Sequence, residues 1–302
     1  MRTVSIIFAI VAAIFGASVP AVHAAPHRPH RGVVRCGVTA PAATVQNGIE
    51  AEIAVFKMFS AEALSAAARQ PLIRIPVAIH IIQNTQGDNT VTEGAITQQI
   101  ARLNAAFAGA ARFTLVLADE VVNDSWFSLQ VGSRDDEEMR AALRVGDGRT
   151  LNIYLNEPYL YSEGDLLGIA QFPWELSRYP AYDGVVLRYA TLPGGDAAPY
   201  NKGKTAVHEV GHWLGLLHTF EPPNPERNLT SSNNGCKGRG DRIADTPAER
   251  DAHYACRITD SCSGGGRDPI HNFMNYTTDA CLRTFTANQR TRIRAMWSRY
   301  RG

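Results

Sequence analysis

The sequence predicts an α+β fold in which one mixed, twisted sheet carries packed helices and a loop-rich, cysteine-bearing subdomain follows. Three observations carry this. Strand-like runs at 75–82, 113–122, 151–155 and 183–189 alternate with helical spacings around 96–107 and 136–143. A further helix is expected where histidines recur at His208 and His212. Beyond His218, residues 221–270 lose periodicity and are rich in Pro, Asn, Gly, Ser and Asp.

The chain opens with Met1-Arg2-Thr3, an apolar run over 4–17, and small Ala24 where a signal peptidase would cut. The run is too short for a membrane span, so residues 1–24 are expected to be a secretory signal peptide. No later stretch has about 18 uninterrupted apolar residues, which predicts a soluble exported protein. The 302 residues are 45% hydrophobic and 20% charged with net charge +1. That balance supports a sizeable core and argues against disorder or a nucleic-acid partner.

Residues 25–69 are expected to be a propeptide-like leader. It starts basic and proline-containing, then carries Arg35-Cys36-Gly37-Val38 and a helical spacing over 48–68 (Ile49, Ile53, Phe56, Leu64). Pro71 marks a boundary, with a candidate cleavage near Arg69 and the main domain at 70–302. Five cysteines in an exported chain suggest disulfides among Cys236, Cys256, Cys262 and Cys281, with Cys36 left over. Two readings of Cys36 stand: a spare thiol, or, ahead of the other, a latency ligand closing a metal's open position.

In the main domain, 75–82 reads as a buried strand with His80 as a core histidine. Residues 96–107 read as a helix across the sheet (Ile96, Ile100, Leu103, Phe107). The acidic run 135–138 looks like a ligand cluster, but negative charge at a helix N-terminus accounts for it better. Residues 166–172, stopped by Pro173, read as one edge strand able to pair with an extended peptide. Ile293, Met296, Trp297 and Tyr300 close the chain with an amphipathic helix. Asn123 and Asn228 head glycosylation sequons.

The chemistry concentrates in His208-Glu209-Val210-Gly211-His212-Trp213-Leu214-Gly215-Leu216-Leu217-His218. On a helix His208 and His212 share a face, so both rings reach one metal ion. Glu209 is turned about 100° away, suited to a metal's water rather than the metal. Gly215 permits the left-handed residue that ends the helix and returns His218 as third ligand. Three imidazoles leave a zinc ion one open position, the pattern of a hydrolytic centre. Downstream, Asp241 and Asp245 lie on a turn-rich loop, a candidate calcium site beside the plainer reading of solvated carboxylates.

With the three-histidine motif followed by a turn carrying Met274, the chain resembles the metzincin clan of zinc proteases. More narrowly it resembles the pappalysin family, including secreted fungal and bacterial enzymes similar to ulilysin. The resemblance covers roughly residues 70–300. It rests on Tyr200-Asn201, Gly203 and Thr205 leading into His208, on Asp245-Thr246-Pro247, and on the run from Asp268 to Tyr276. Upstream it includes residues 151–154, 167–173 and 183–186.

This resemblance implies a metzincin-like domain and a zinc-dependent endopeptidase acting on protein or peptide substrates. Met274 would lie beneath the zinc, and Tyr276 would offer its hydroxyl to the oxyanion. It implies disulfides Cys236 to Cys262 and Cys256 to Cys281, and calcium between His218 and Met274. Asn275 stands where relatives commonly carry aspartate. Asp279 is a candidate for the pocket that receives Arg or Lys after the scissile bond. A monomer is expected. The rival reading is a non-catalytic secreted binding protein that keeps the fold, against which the intact Glu209 counts.

Overall fold

The computed structural model describes residues 32–59, 72–161, 163–223, 230, 232–237 and 240–302. The signal segment, the boundary at Arg69 and Pro71, and Asn228 lie outside the described residues.

The domain is built on a five-stranded sheet that includes the β-branched run at residues 75–82. In chain order the strands and helices are β1 (Val33–Val34), α1 (Ala43–Phe59), β2 (Ile73–Gln83), α2 (Glu93–Ala106), β3 (Ala111–Val122) and α3 (Asp124–Phe127). There follow α4 (Arg134–Leu143), β4 (Leu151–Asn156), β5 (Tyr159–Leu160), β6 (Gly164–Leu166), β7 (Gly168–Ala170), β8 (Val185–Arg188), α5 (Lys204–Trp213) and α6 (Ala287–Tyr300). The main sheet has the order β3-β2-β4-β8-β7. All its pairings are parallel except β7 on β8, which is antiparallel and forms the edge.

Alternation along the strands divides the core between two faces. Ile75, Val77, Ile79 and Ile81 of β2 pack with Ile96 and Leu103 of α2 and with Val207, Val210 and Trp213 of α5. On the other face Ile82, Tyr154 and Val186 meet Phe127, Leu129 and Met139. α2 starts at Thr92, whose side chain accepts from Ala95 N at 3.1 Å. His80 is buried, with Nδ1 at 2.8 Å from Asp119 and Nε2 at 3.1 Å from Asn152 Oδ1. The acidic run opens α4, where Asp136 receives Arg140 Nε at 2.6 Å in a buried pair. Asn123 accepts from Ser125 N and Trp126 N at the start of α3.

One expectation is corrected. Residues 166–172 do not form a single strand. They divide into β6, paired with β1 and β5 in a separate three-stranded sheet, and β7 on the main sheet. Leu167, buried between them, makes the transition: its N donates to Val34 O at 3.0 Å while its O accepts from Arg188 N at 2.9 Å. An apolar run fixes burial on both sides without revealing which neighbour each backbone group pairs with.

The C-terminal region is cross-linked. Cys236 is joined to Cys262 and Cys256 to Cys281, the pairing the resemblance implies, with Cα separations of 5.3 and 5.6 Å. Cys36 is the free cysteine among the described residues, and it is buried. α6 opens with a capping box in which Thr286 and Gln289 bond each other's backbone N–H. No described helix is long and apolar enough to cross a membrane.

Candidate metal centre and substrate cleft

α5 carries His208 and His212 one turn apart on its buried face, and Gly215, at φ +88°, turns the chain so that His218 comes back toward them. His212 Nε2 lies 3.1 Å from the Nε2 of His208 and 3.1 Å from that of His218. Each ring is oriented from its other nitrogen. His208 Nδ1 donates to Phe273 O at 2.7 Å, His212 Nδ1 to Leu216 O at 2.8 Å, and His218 Nδ1 to Glu221 Oε1 at 2.7 Å.

That tautomer puts three lone pairs face to face, which is unfavourable unless a cation lies between them. Burial reinforces it, holding the imidazoles of His208 and His212 well below their ordinary value and His218 at about 3. The donor set fits zinc: neutral imidazoles with carbonyl or carboxylate partners behind them, and a sulfur beside them. One donor atom from each of Cys36, His208, His212 and His218 lies within 4.8 Å of the others.

Glu209 points into the same space. Its Oε2 accepts from Cys36 Sγ at 3.5 Å, and its Oε1 is buried with no hydrogen-bond partner among the described residues. Burial raises its carboxyl to about 8 against the opposing pull of Arg35. Tyr276 sets its hydroxyl 3.1 Å from His218 Nε2, and burial holds the phenol well above its ordinary value. Met274 is fully buried in the core beneath α5, so close that a Cβ at Gly211 would collide with its Sδ.

The N-terminal segment runs beside the three histidines. β1 pairs in parallel with β6, and Gly37 N donates to Gly168 O of β7 at 2.9 Å, so residues 33–37 line the edge that 166–172 was expected to expose. Arg35 is 3% exposed, so its charge is taken fully inside. Its Nη1 donates to Thr205 Oγ1 at 2.9 Å, its Nη2 lies 3.9 Å from Asp279 Oδ1, and its guanidinium covers the Tyr200 ring at 4.9 Å. Asp279 Oδ2 meanwhile accepts from Lys202 N at 2.7 Å and Lys204 N at 3.2 Å, ahead of and at the start of α5. Burial raises the Asp279 carboxyl while Arg35 opposes it. Cys36 is pushed up by burial and then by Glu209.

The candidate calcium carboxylates have separate surroundings. Asp241 Oδ1 accepts from Ile243 N at 3.0 Å while its Oδ2 is buried without a partner among the described residues, and burial lifts the carboxyl to about 8. Asp245 Oδ2 accepts from Asn288 N at 3.0 Å, in the first turn of α6.

Sequence reasoning missed several supporting residues. Glu221, which orients His218, sits three residues beyond it with no motif around it. Glu249 is fully buried, accepting from Thr219 Oγ1 at 2.7 Å and from Asn275 Nδ2 at 2.7 and 2.8 Å. Asp183 takes Trp213 Nε1 at 2.8 Å and Arg301 Nη2 at 2.7 Å, tying the end of α5 to the C-terminus. Arg and Glu are mostly exposed in folded proteins, so composition gives no warning of such buried pairs.

Comparison with known proteins places this geometry. The Peptidase_M43 family model, Pregnancy-associated plasma protein-A, matches residues 147–298. An extracellular metalloprotease of Neurospora crassa is 39% identical over 242 residues, covering 77% of each chain. Extracellular metalloprotease 1 of Coccidioides posadasii is 35% identical over 239 residues, covering 77% of this chain and 79% of its own. Among solved structures, a promirolysin mutant of Tannerella forsythia superimposes with TM-score 0.64 at 27% identity, covering 87% of this chain and 93% of its own. Mature mirolysin of the same organism, in complex with a cleaved peptide, gives TM-score 0.60 at 29% identity, covering 76% and 92%.

Proposed function

The chain belongs to the pappalysin family of metzincin metalloproteases, and on that premise we propose that it is a secreted zinc-dependent endopeptidase made as a latent precursor. The observation that carries this reading is the convergence of three Nε2 atoms, each on a ring held by its own Nδ1 contact. His208, His212 and His218 would hold the zinc. When bound, zinc supplies a Lewis acid that polarises the scissile carbonyl and makes water a nucleophile near neutral pH.

Glu209 is the general base. Its Oε1 is free of other hydrogen bonds among the described residues, so the carboxylate takes a proton from the attacking water and returns one to the leaving amine. Tyr276 donates its O–H to the developing oxyanion. The edge formed by β6 and β7 aligns an extended substrate backbone by main-chain pairing. Asp279, with Oδ1 turned toward the cleft and Oδ2 held by two backbone N–H groups, receives an Arg or Lys side chain after the scissile bond.

In the precursor, residues 25–69 form the leader, following a signal peptide at 1–24. Cys36 closes the metal's open position and Arg35 stands where the substrate's cation would. The greater coverage of this chain by promirolysin than by mature mirolysin, 87% against 76%, supports a removable leader. Calcium bound near Asp241 and Asp245 would answer the unpartnered Asp241 Oδ2.

The test is a zymogram of the secreted protein with and without chelator, beside Glu209→Ala. Chelation and the substitution should each abolish the cleared band, the variant falling by about 10²- to 10⁴-fold with one zinc per chain retained by metal analysis. Activity surviving both treatments rejects the mechanism.

A further inference from the structure

Beside the cleft, α1 lies on α6. Ile49 and Ile53, four residues apart, pack on Ala295 and Met296, with Trp174 and Tyr300 at the margin. The surrounding contacts are polar and one-sided in charge. Arg292 Nη1 pairs with Glu50, Arg299 Nη2 lies 3.1 Å from Glu52 Oε2, and Tyr300 donates its hydroxyl to Glu52 Oε2 at 3.0 Å. Arg242 donates to Gln46 Oε1 at 2.7 Å and Asn47 Oδ1 at 2.9 Å. The α6 side thus offers cations around an apolar centre, and α1 brings carboxylates and amides.

Two further features bear on what this face is for. It is continuous with the cleft: Trp174 stacks on Phe172 at 4.3 Å, and Phe172 meets the His212 ring edge-on at 5.4 Å. It is also underfilled by α1. A crevice of about 650 Å³ lies among Val45, Ile49, Trp174, Leu176, Arg299 and Tyr300, and a Cβ built on Gly48 would meet no atom within 4 Å. A glycine inside a helix costs about 1 kcal/mol relative to alanine, so Gly48 weakens the helix that fills this seat.

We propose that, once the leader is lost, this face of α6 is a docking site for protein substrates that present an amphipathic helix: two branched apolar residues four apart, flanked by glutamates, near the scissile segment. The inference rests on the chain being a latent endopeptidase. The leader helix occupies the site in the precursor and shows its chemistry. Its departure exposes Met296, Trp174 and Tyr300 together with Arg242, Arg292 and Arg299, a groove and charge pattern suited to a helix's apolar face.

The experiment uses the processed secreted protein and two substrates with the same scissile sequence: a short peptide filling only the cleft, and a long one carrying the sequence of residues 43–59. The long substrate should show a KM about tenfold lower, and Arg299→Glu should remove that advantage without altering kcat or short-peptide cleavage. Tyr300→Phe, which deletes only the hydroxyl, should remove part of it. A free peptide of residues 43–59 should compete against the long substrate alone, and its Gly48→Leu form at lower concentration. Equal KM values for the two substrates, equal inhibition of both, or retention of α1 on the processed protein overturns the proposal. Failure to cleave the short peptide at all rejects the endopeptidase reading instead.

Discussion

Arg35 of the N-terminal segment and Asp279 of the C-terminal region, 244 positions apart in sequence, face each other across 3.9 Å with both side chains buried. Asp279 is anchored by the backbone at the start of α5, so the cation is held beside the helix that presents His208 and Glu209. The adjacent Cys36 lies beside His208, His212 and His218.

Under the proposed latency, inhibition of the precursor depends on these two adjacent residues. Cys36→Ser and Arg35→Ala, each in the unprocessed chain, should raise activity of the precursor by about tenfold or more, because removing one partner leaves the leader poorly held in the cleft. A fluorogenic peptide assay on precursor verified by N-terminal sequencing measures it. Precursors as silent as the parent would remove both residues from the latency device.

Asp279→Asn keeps the shape but not the charge. It should lower kcat/KM for peptides with Arg after the scissile bond by about tenfold relative to peptides with Ala there. Equal losses on both peptides would make Asp279 a support for α5 rather than a specificity group.

Asn275 donates both contacts of its amide to the buried Glu249 carboxylate while its Oδ1 accepts from Tyr276 N at 2.7 Å. Asn275→Asp would set two carboxylates against each other and should destabilise the protein by about 2 to 4 kcal/mol, read as a lowered denaturant midpoint. Asn275 thus has a specific buried partner in this chain. A variant of unchanged midpoint would mean the network rearranges without cost.

Asp241 has a carboxyl raised from an ordinary 3.8 to about 8 by burial. The folded state therefore binds a proton that the unfolded state has released. Stability in calcium-free buffer should fall as pH rises from about 4 to about 8 and level off above. Asp241→Asn should flatten that slope, and added calcium should reverse it if the ion binds the carboxylate. Calorimetric Tm against pH, with and without calcium, checks this; an identical slope in the variant clears Asp241.

The parts legible in the sequence were those fixed by local periodicity. The spacing of His208, Glu209 and His212 determines their faces on any α-helix, and Gly215 determines where that helix stops, because both follow from backbone geometry within a few residues. The β-branched run of β2 identifies a buried strand for the same reason. Tertiary structure alone decided which groups meet across the chain: that 166–172 divides at Leu167 between two sheets, that Glu221 and Phe273 O set the histidine tautomers, and that Arg35 meets Asp279. Such contacts depend on how distant segments share a low-dielectric interior, where an unpaired charge is too costly to leave alone. No one-dimensional pattern encodes which partner satisfies it.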